Sequence, residues 1–527
     1  RQEASTAGGA YPQANAAVNN NIYNGTLIWN YSGHGGPPRL AEEVILDQTA
    51  VNAFNNPTRL PLFITATCDF APYDLPNIAS LGENLLVRPK TGAIALMTTT
   101  RVVFAFSNRI LNDNYLRIAL QPNAAGRYKS LGEAVQAAKN FTVQSGGDPV
   151  NSRKFALLGD PALTIAFPTQ QVVPLSVNGK PMNQADTLSA TEMTTITGEV
   201  RDNNGVRLSG FNGTVYLSLL DKPQVITTLA NDPSSIRTGF ALQTSSLFKG
   251  KVTAANGQFS FQFKLPKDIN FQYGRGKLSF YAQDSVKDAT GSSTNVIIGG
   301  IATGSVTDKE GPVIKAYLND ESFANGGIVN QAPVLLLKLS DSSGINTGNA
   351  GVDHDIVITI DDDNRNYYVL NDFYESDLNS YQKGSVRFQL PNFTPGPHSL
   401  RIKAWDVMNN SSETVLEFVV TNNGELVLAH VLNYPNPFTT KTTFWFEHNK
   451  PGIDLDMRIE IFTVAGKLIK TITRTINTEG NRSSDTNWDG TDHYGNKIGR
   501  GVYLYRLTIK SADGKKTTIL QRLAWLG

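Results

Sequence analysis

The pattern of apolar residues changes once along this chain, near Pro168, and that change limits the fold more than any other feature. Upstream, short apolar runs alternate with stretches of helical period. Gly25–Tyr31 (GTLIWNY), Leu60–Thr67 (LPLFITAT), Gly92–Thr99 and Phe155–Leu158 (FALL) read as buried strands, and Gln13–Asn24, Phe106–Leu120 and Leu131–Phe141 as helices. A continuous apolar run suits a strand covered on both faces, and strands alternating with helices predict a parallel sheet. Downstream, helical period nearly vanishes. Alternating runs such as Thr194–Val200, Thr214–Leu219, Gln258–Lys264, Val334–Leu339, Ser399–Trp405, Met457–Phe462 and Gly501–Ile509 are punctuated by Gly, Asn, Asp, Ser and Thr. That spacing predicts β-sandwiches.

The chain has 527 residues, which at roughly 150 per domain suggests three or four domains. The expected divisions are 1–168, 169–300, 312–420 and 426–527, with Gly299–Gly311 as a linker. The expected fold class is therefore multidomain: part of an α/β domain with a parallel sheet, then three β-sandwich (Ig-like) modules. The sequence opens at Arg1, with Arg1–Ala10 reading as loop already in progress, so a piece of a longer precursor is expected. No apolar run approaches the ~20 residues of a membrane helix.

Lys and Arg number 47 against 46 Asp and Glu, a formal charge of +1. A nucleic-acid binder normally carries a basic surplus, so no nucleic-acid partner is expected. Cys68 is the single cysteine. It excludes an intrachain disulfide, a multi-cysteine zinc site and CxxC redox chemistry. No cofactor and no metal site are assigned.

That cysteine stands where chemistry is commonly done. The first predicted strand runs into Ser32-Gly33-His34-Gly35-Gly36, and the second into Ala66-Thr67-Cys68-Asp69-Phe70. Parallel sheets carry ligands and reactive groups beyond the carboxyl ends of their strands. The separation of 34 residues between His34 and Cys68 leaves room for one crossover, so the two strands can be neighbours. A thiolate attacks a carbonyl while an imidazole manages the proton. The oxyanion then needs N–H donors, for which the Gly35 and Cys68 amides are the candidates. The bland alternative is that Cys68 is a small core residue and the glycines only a tight turn. Exit positions at both strands favour catalysis, with Cys68 as nucleophile and His34 as general acid and base.

Other polar features read as structural. His354, His398, His430, His448 and His493 are scattered without ligand spacing and read as surface or turn residues. Asp361–Asp363 and Trp488–Asp492 read as acidic turns, calcium being the alternative, since neither matches an EF-hand loop. Glu42-Glu43 reads as a solvated helix start, the alternative being an approach to the site.

Tyr31-Ser-Gly-His34-Gly-Gly, Thr65-Ala-Thr-Cys68-Asp-Phe, Thr91–Arg101 (TGAIALMTTTR) and Leu158-Gly-Asp-Pro-Ala together resemble the gingipain family of the caspase-like clan of cysteine peptidases. The local residues resemble most the members that act as sortases of the type IX secretion system. Independently, Asn433–Phe438 (NYPNPF), Ile461–Ile469 and Gly499–Leu507 resemble type IX C-terminal sorting domains. The resemblance implies a caspase-like α/β domain and a last module of sorting-domain type. It also implies a surface enzyme of Gram-negative Bacteroidetes that removes sorting domains from exported cargo through a Cys68 acyl-enzyme. The cargo would pass to an amine of anionic lipopolysaccharide, and an outer-membrane β-barrel (PorV-like) would be the partner. Specificity residues and a carboxylate orienting His34 would lie upstream of Arg1; Glu3 is not assigned that role. Two other readings stand beside it: an exported gingipain-type protease that is itself type IX cargo, and a non-enzymatic surface scaffold or adhesin.

Overall fold

The computed structural model describes residues 11–123, 126–185, 187–230, 235–302, 308–348, 353–422 and 424–527. Glu3, the Arg1–Ala10 loop and part of the expected linker (303–307) lie outside them. The chain divides into two compact units, Arg1–Thr169 and Gln170–Gly527.

The first unit opens with α1 (Pro12–Asn24) and β1 (Ile28–Ser32). Short strands β2 (Gly35–Gly36), β3 (Arg39–Leu40) and β4 (Leu46–Asp47) follow, then α2 (Gln48–Ala53), β5 (Leu62–Ala66) and α3 (Leu81–Val87). The remainder is β6 (Ala95–Thr99), α4 (Ala105–Ala119), α5 (Leu131–Gln144), α6 (Pro149–Arg153) and β7 (Phe155–Leu158). The main sheet has the order β1-β5-β6-β7. Every residue of β5 and β6 is buried, as their continuous apolar runs require. Successive side chains point to opposite faces. Leu62, Ile64, Ala95 and Met97 therefore pack with Leu111, Tyr115, Leu131 and Val135 of α4 and α5. Phe63 and Leu96 pack on the other side with Ile22, Val51, Leu81 and Leu85. Helices α3 and α5 begin at Ser80 and Ser130, whose hydroxyls accept from the Glu83 and Glu133 amides while those glutamates reach back to the cap amides. This reciprocal cap satisfies donors that a helix start otherwise leaves open.

Two expectations need correction. β1–β5 and β5–β6 are parallel, but β7 is antiparallel to β6. Two long helices intervene before it: α4 leads the chain away from the exit of β6 and α5 leads it back, so β7 enters from the end where β6 left. Glu42-Glu43 does not start a helix. It sits in a turn between β3 and β4, where Ala41 and Val44 have φ of 61° and 55°. Glu42 is exposed and pairs with Arg39 at 2.8 Å.

The second unit is built from sheets. Its only helical segments among the described residues are two three-residue turns. Strands between Gln170 and Ile301 form a nine-stranded sheet, seven in one path and two paired off it. Phe259, Phe261 and Phe263 alternate inward from Gln258–Lys264 into its core. Strands between Val313 and Val420 form sheets of four and five strands, and those between Leu428 and Trp525 form sheets of three and four. Val334–Ser340, Gly396–Trp405, Leu455–Thr463 and Gly501–Ser511 each contain the run read from sequence. Polar links tie these sheets to one another. Lys249 and Lys251 meet Asp372 and Glu375 at 3.1 and 3.2 Å, and Asn319 donates to Asn481.

Candidate active site

The register of two strands builds the site. β1 and β5 pair in parallel, Ser32 opposite Ala66. His34 and Cys68 each follow two residues later, so the ladder delivers them to equivalent exits on strands roughly 4.8 Å apart. Contacts continue past the strand ends. The Gly33 amide donates to the Ala66 carbonyl at 3.4 Å. An added Cβ at Gly35 would lie 2.7 Å from Thr67 Oγ1 and 2.9 Å from Leu40. Only glycine fits there, and the histidine loop therefore rests directly on the residue before Cys68.

The histidine loop is gripped by its backbone. The His34 carbonyl accepts from the Ala41 amide at 2.9 Å and from the Tyr31 hydroxyl at 2.6 Å. Tyr31 lies parallel to Trp29, with ring centroids 6.0 Å apart. Burial, with the Glu43 carboxylate nearby, pushes the Tyr31 phenol above its ordinary value, so it remains protonated and a donor. The His34 side chain is exposed, and no hydrogen bond from the described residues holds its ring. Gly35 pairs with Leu40 in the β2–β3 ladder. Antiparallel ladders alternate bonded and non-bonded pairs. Because the Ala41 amide already bonds the His34 carbonyl, Gly35 falls in a non-bonded pair and the ladder leaves its N–H unspent.

The cysteine loop is pinned just beyond the thiol. The Asp69 amide donates to the Arg101 carbonyl at 3.3 Å, and those of Phe70 and Ala71 to the hydroxyl and carbonyl of Thr99 at 3.4 and 3.0 Å. No described residue takes the Cys68 N–H. The half-buried Cys68 thiol faces the Val103 carbonyl at 3.7 Å and packs on one side against the core. Val102 and Phe104, flanking that carbonyl, are 63% and 67% exposed and offer an apolar surface. Arg101 makes a two-point ion pair with Asp74, which fastens the loop after Cys68 to the end of β6 and holds the Asp74 carboxyl below its ordinary value.

Sequence reasoning placed His34, Gly35 and Cys68 at one sheet edge, and the structure brings those segments together. It gave no role to Tyr31 or Thr67. The only signal for Tyr31 was a tyrosine three residues before the histidine.

Elsewhere the acidic turns are internally spent. Asp361 meets His398 at 2.7 Å, Asp362 meets Arg401 at 2.6 Å and Asp363 meets Arg365 at 3.0 Å. Asp489 binds Thr491 and Lys497. The described carboxylates that could share a cation are instead Asp308, Asp341 and Asp406, whose oxygens lie within 4.8 Å of one another. Burial, reinforced by the two other carboxylates, pushes Asp341 up to about 6. His448 also departs from expectation. It is fully buried rather than a surface residue, because Asn481 and Thr478 close over the end of its strand.

A thiol and an imidazole at adjacent exits of parallel strands, with unspent amides beside them, are the groups an α/β cysteine peptidase requires. Residues 1–166 match the model of Peptidase family C25, which supports a gingipain-type cysteine peptidase over that part of the chain. Among solved structures, the chain is similar to dimeric latent PorU from Porphyromonas gingivalis, with 27% identity and a TM-score of 0.32, over 84% of this chain and 42% of that one. It is also similar to the pro- and mature domains of RgpB from P. gingivalis, with 17% identity and a TM-score of 0.27, over 53% of this chain and 55% of that one. For the Arg-specific cysteine proteinase gingipain R, identity is 16% and the TM-score 0.25, over 51% and 54% of the two chains. The chain thus spans less than half the length of PorU. No curated protein matches it. The assignment rests on the family match over residues 1–166. No helix among the described residues is long and apolar enough to cross a membrane.

Proposed function

We propose that the protein is a cell-surface cysteine endopeptidase and transpeptidase. It removes C-terminal sorting domains from exported cargo and passes the cargo to an amine of anionic lipopolysaccharide. The observation that carries the peptidase reading is the β1–β5 register, which sets His34 and Cys68 at equivalent exits with Gly35 against Thr67. The chemistry follows from those groups. The Cys68 thiol gives its proton to His34, and the sulfur attacks the scissile carbonyl. The oxyanion is held by the Gly35 and Cys68 amides. On collapse the C–N bond breaks, His34 returns the proton to the leaving amine, and the sorting domain departs. An acceptor amine then attacks the thioester, and the thiol leaves as the new amide forms.

The peptidase step is supported by the family match, and the local residues around Cys68 and Thr98–Arg101 favour a sortase over a general protease. In this reading residues 426–527 form a sorting-type module that docks on an outer-membrane β-barrel, and the protein acts on the outer face of that membrane. The test uses the full-length protein and Cys68→Ala with a cargo that retains its sorting domain. Intact-mass measurement is expected to show cargo shortened at its C-terminus and extended by an amine-linked group with the wild type only. Shortened cargo ending in a free carboxylate reduces the enzyme to a protease. Identical cargo masses with both forms would sink the enzymatic reading.

A further inference from the structure

The peptide unit between His34 and Gly35 is held from one side only. Its carbonyl takes two donors, the Tyr31 hydroxyl at 2.6 Å and the Ala41 amide at 2.9 Å. In a trans peptide the C=O and N–H point in opposite directions within one plane. Fixing the carbonyl therefore fixes the direction of the Gly35 N–H, which the β2–β3 ladder leaves unspent. Donation to a carbonyl also polarises the amide across the same unit and strengthens its N–H as a donor. The Tyr31 ring has little freedom to do otherwise. It lies along Trp29, which packs against Phe63 of β5 at 4.8 Å. Its hydroxyl sits where a Cβ on residue 33 would come within 2.7 Å, so Gly33 lets the loop close over it.

We infer that Tyr31 is a positioning residue for the oxyanion site: its hydroxyl orients and polarises the His34–Gly35 peptide so that the Gly35 N–H meets the oxyanion formed when Cys68 attacks. The inference rests on the cysteine-peptidase reading given above. It separates two roles of one loop, since the imidazole of His34 serves proton transfer and its carbonyl, through Tyr31, serves charge stabilisation.

The roles can be separated with two thiol reagents on the full-length protein. A peptide aldehyde adds the Cys68 sulfur to its carbonyl carbon, and the oxygen takes up the charge and then the proton, so its affinity reads the oxyanion site. Iodoacetamide alkylates the same sulfur with loss of iodide and forms no oxyanion. Tyr31→Phe keeps the ring and removes only the hydroxyl. The expected result is a loss on the order of tenfold in kcat and in aldehyde affinity. KM and the rate and pH profile of alkylation should be unchanged. Parallel loss in alkylation would overturn the inference, because the tyrosine would then serve the thiol–imidazole pair or the fold. Unchanged aldehyde affinity would overturn it as well. Should Tyr31→Phe not fold, 3-fluorotyrosine at position 31, a stronger donor of the same shape, is read instead. A several-fold gain in aldehyde affinity is then expected, and no gain overturns the inference. Wild type without Cys68-dependent turnover would overturn the proposed function itself, whereas Cys68-dependent turnover with an indifferent Tyr31→Phe overturns this inference alone.

Discussion

Four of the five histidines of the β-rich unit are spent on partners, and among the described residues only the exposed ring of His493 there takes none. In the β-rich unit, His354, His398 and His430 each meet a carboxylate, Asp268, Asp361 and Glu447, at 2.7–2.9 Å. His448 is buried with its Nε2 on Thr478 at 2.8 Å. In the α/β unit, His34 is held only by its backbone, and its imidazole is exposed beside the cysteine loop. An imidazole locked to a partner strengthens a fold. One whose backbone is fixed and whose ring is uncommitted can give and take protons. His493 shares the uncommitted ring but has no thiol loop beside it, and in the proposed function it is the neighbouring Cys68 loop that puts His34 to work.

Removing the proposed catalytic pair is expected to have the largest effect. Cys68→Ala should abolish turnover, and His34→Ala should lower kcat/KM by roughly 10²–10⁴. Both are read in a cargo-cleavage assay, and neither should shift thermal unfolding by more than a degree or two. A His34→Ala enzyme with full activity would erase the contrast between the units. Gly35→Ala comes next. Its new methyl meets Thr67 Oγ1 and Leu40, and pushing the amide away should cost about 10²-fold in kcat. Adding Thr67→Ser, which leaves the hydroxyl in place, should not restore activity, whereas Thr67→Ala should in part.

The structural histidine gives a pH signature. Burial pushes His448 down to about 4 from an ordinary 6.5. The unfolded chain therefore binds more protons than the native one between those values, and stability falls as the pH drops through that window. The full loss is about 3 kcal/mol. Hydrogen exchange of Thr442–His448 should accelerate from pH 6.5 towards 4 once intrinsic rates are corrected, and His448→Gln should flatten the slope. Asp341 has the opposite sign. Its pKa is raised to about 6, so the native state is the better proton binder between roughly 4 and 6 and stability declines as the pH rises through that range. Asp341→Asn should gain about 1–2 kcal/mol at pH 7.5, the partial exposure of the group being discounted, and almost nothing near pH 4.

Much of this was legible from the sequence because it was local. Gln258–Lys264 and Phe155–Leu158 have the bounds their apolar patterns gave them. His34 and Cys68 follow apolar runs, and a parallel sheet brings such exits together. What escaped was long-range. The reversed direction of β7 depends on how α4 and α5 fold against each other. Asp308, Asp341 and Asp406 are 33 and 65 residues apart, so no spacing could gather them. His448 looked like an ordinary strand end, and its burial comes from Thr478 and Asn481 thirty residues on. Tyr31 and Thr67 were visible as residues, but their hydroxyls acquire meaning only once the loop between β1 and β2 closes over one and rests on the other.

The β1–β5 ladder also has a bearing on how such a chain could diversify. Alignment of the two reactive loops is written into five paired residues on each strand. The intervening stretch from about residue 48 to 60, which holds α2 and its following turn, contributes no residue to that pairing. Val51, Phe54 and Asn56 within it are buried, so its exposed positions are the ones that can change while the two loops stay in step. In the proposed function, that outer surface is free to vary towards new cargo without the chemistry being rebuilt.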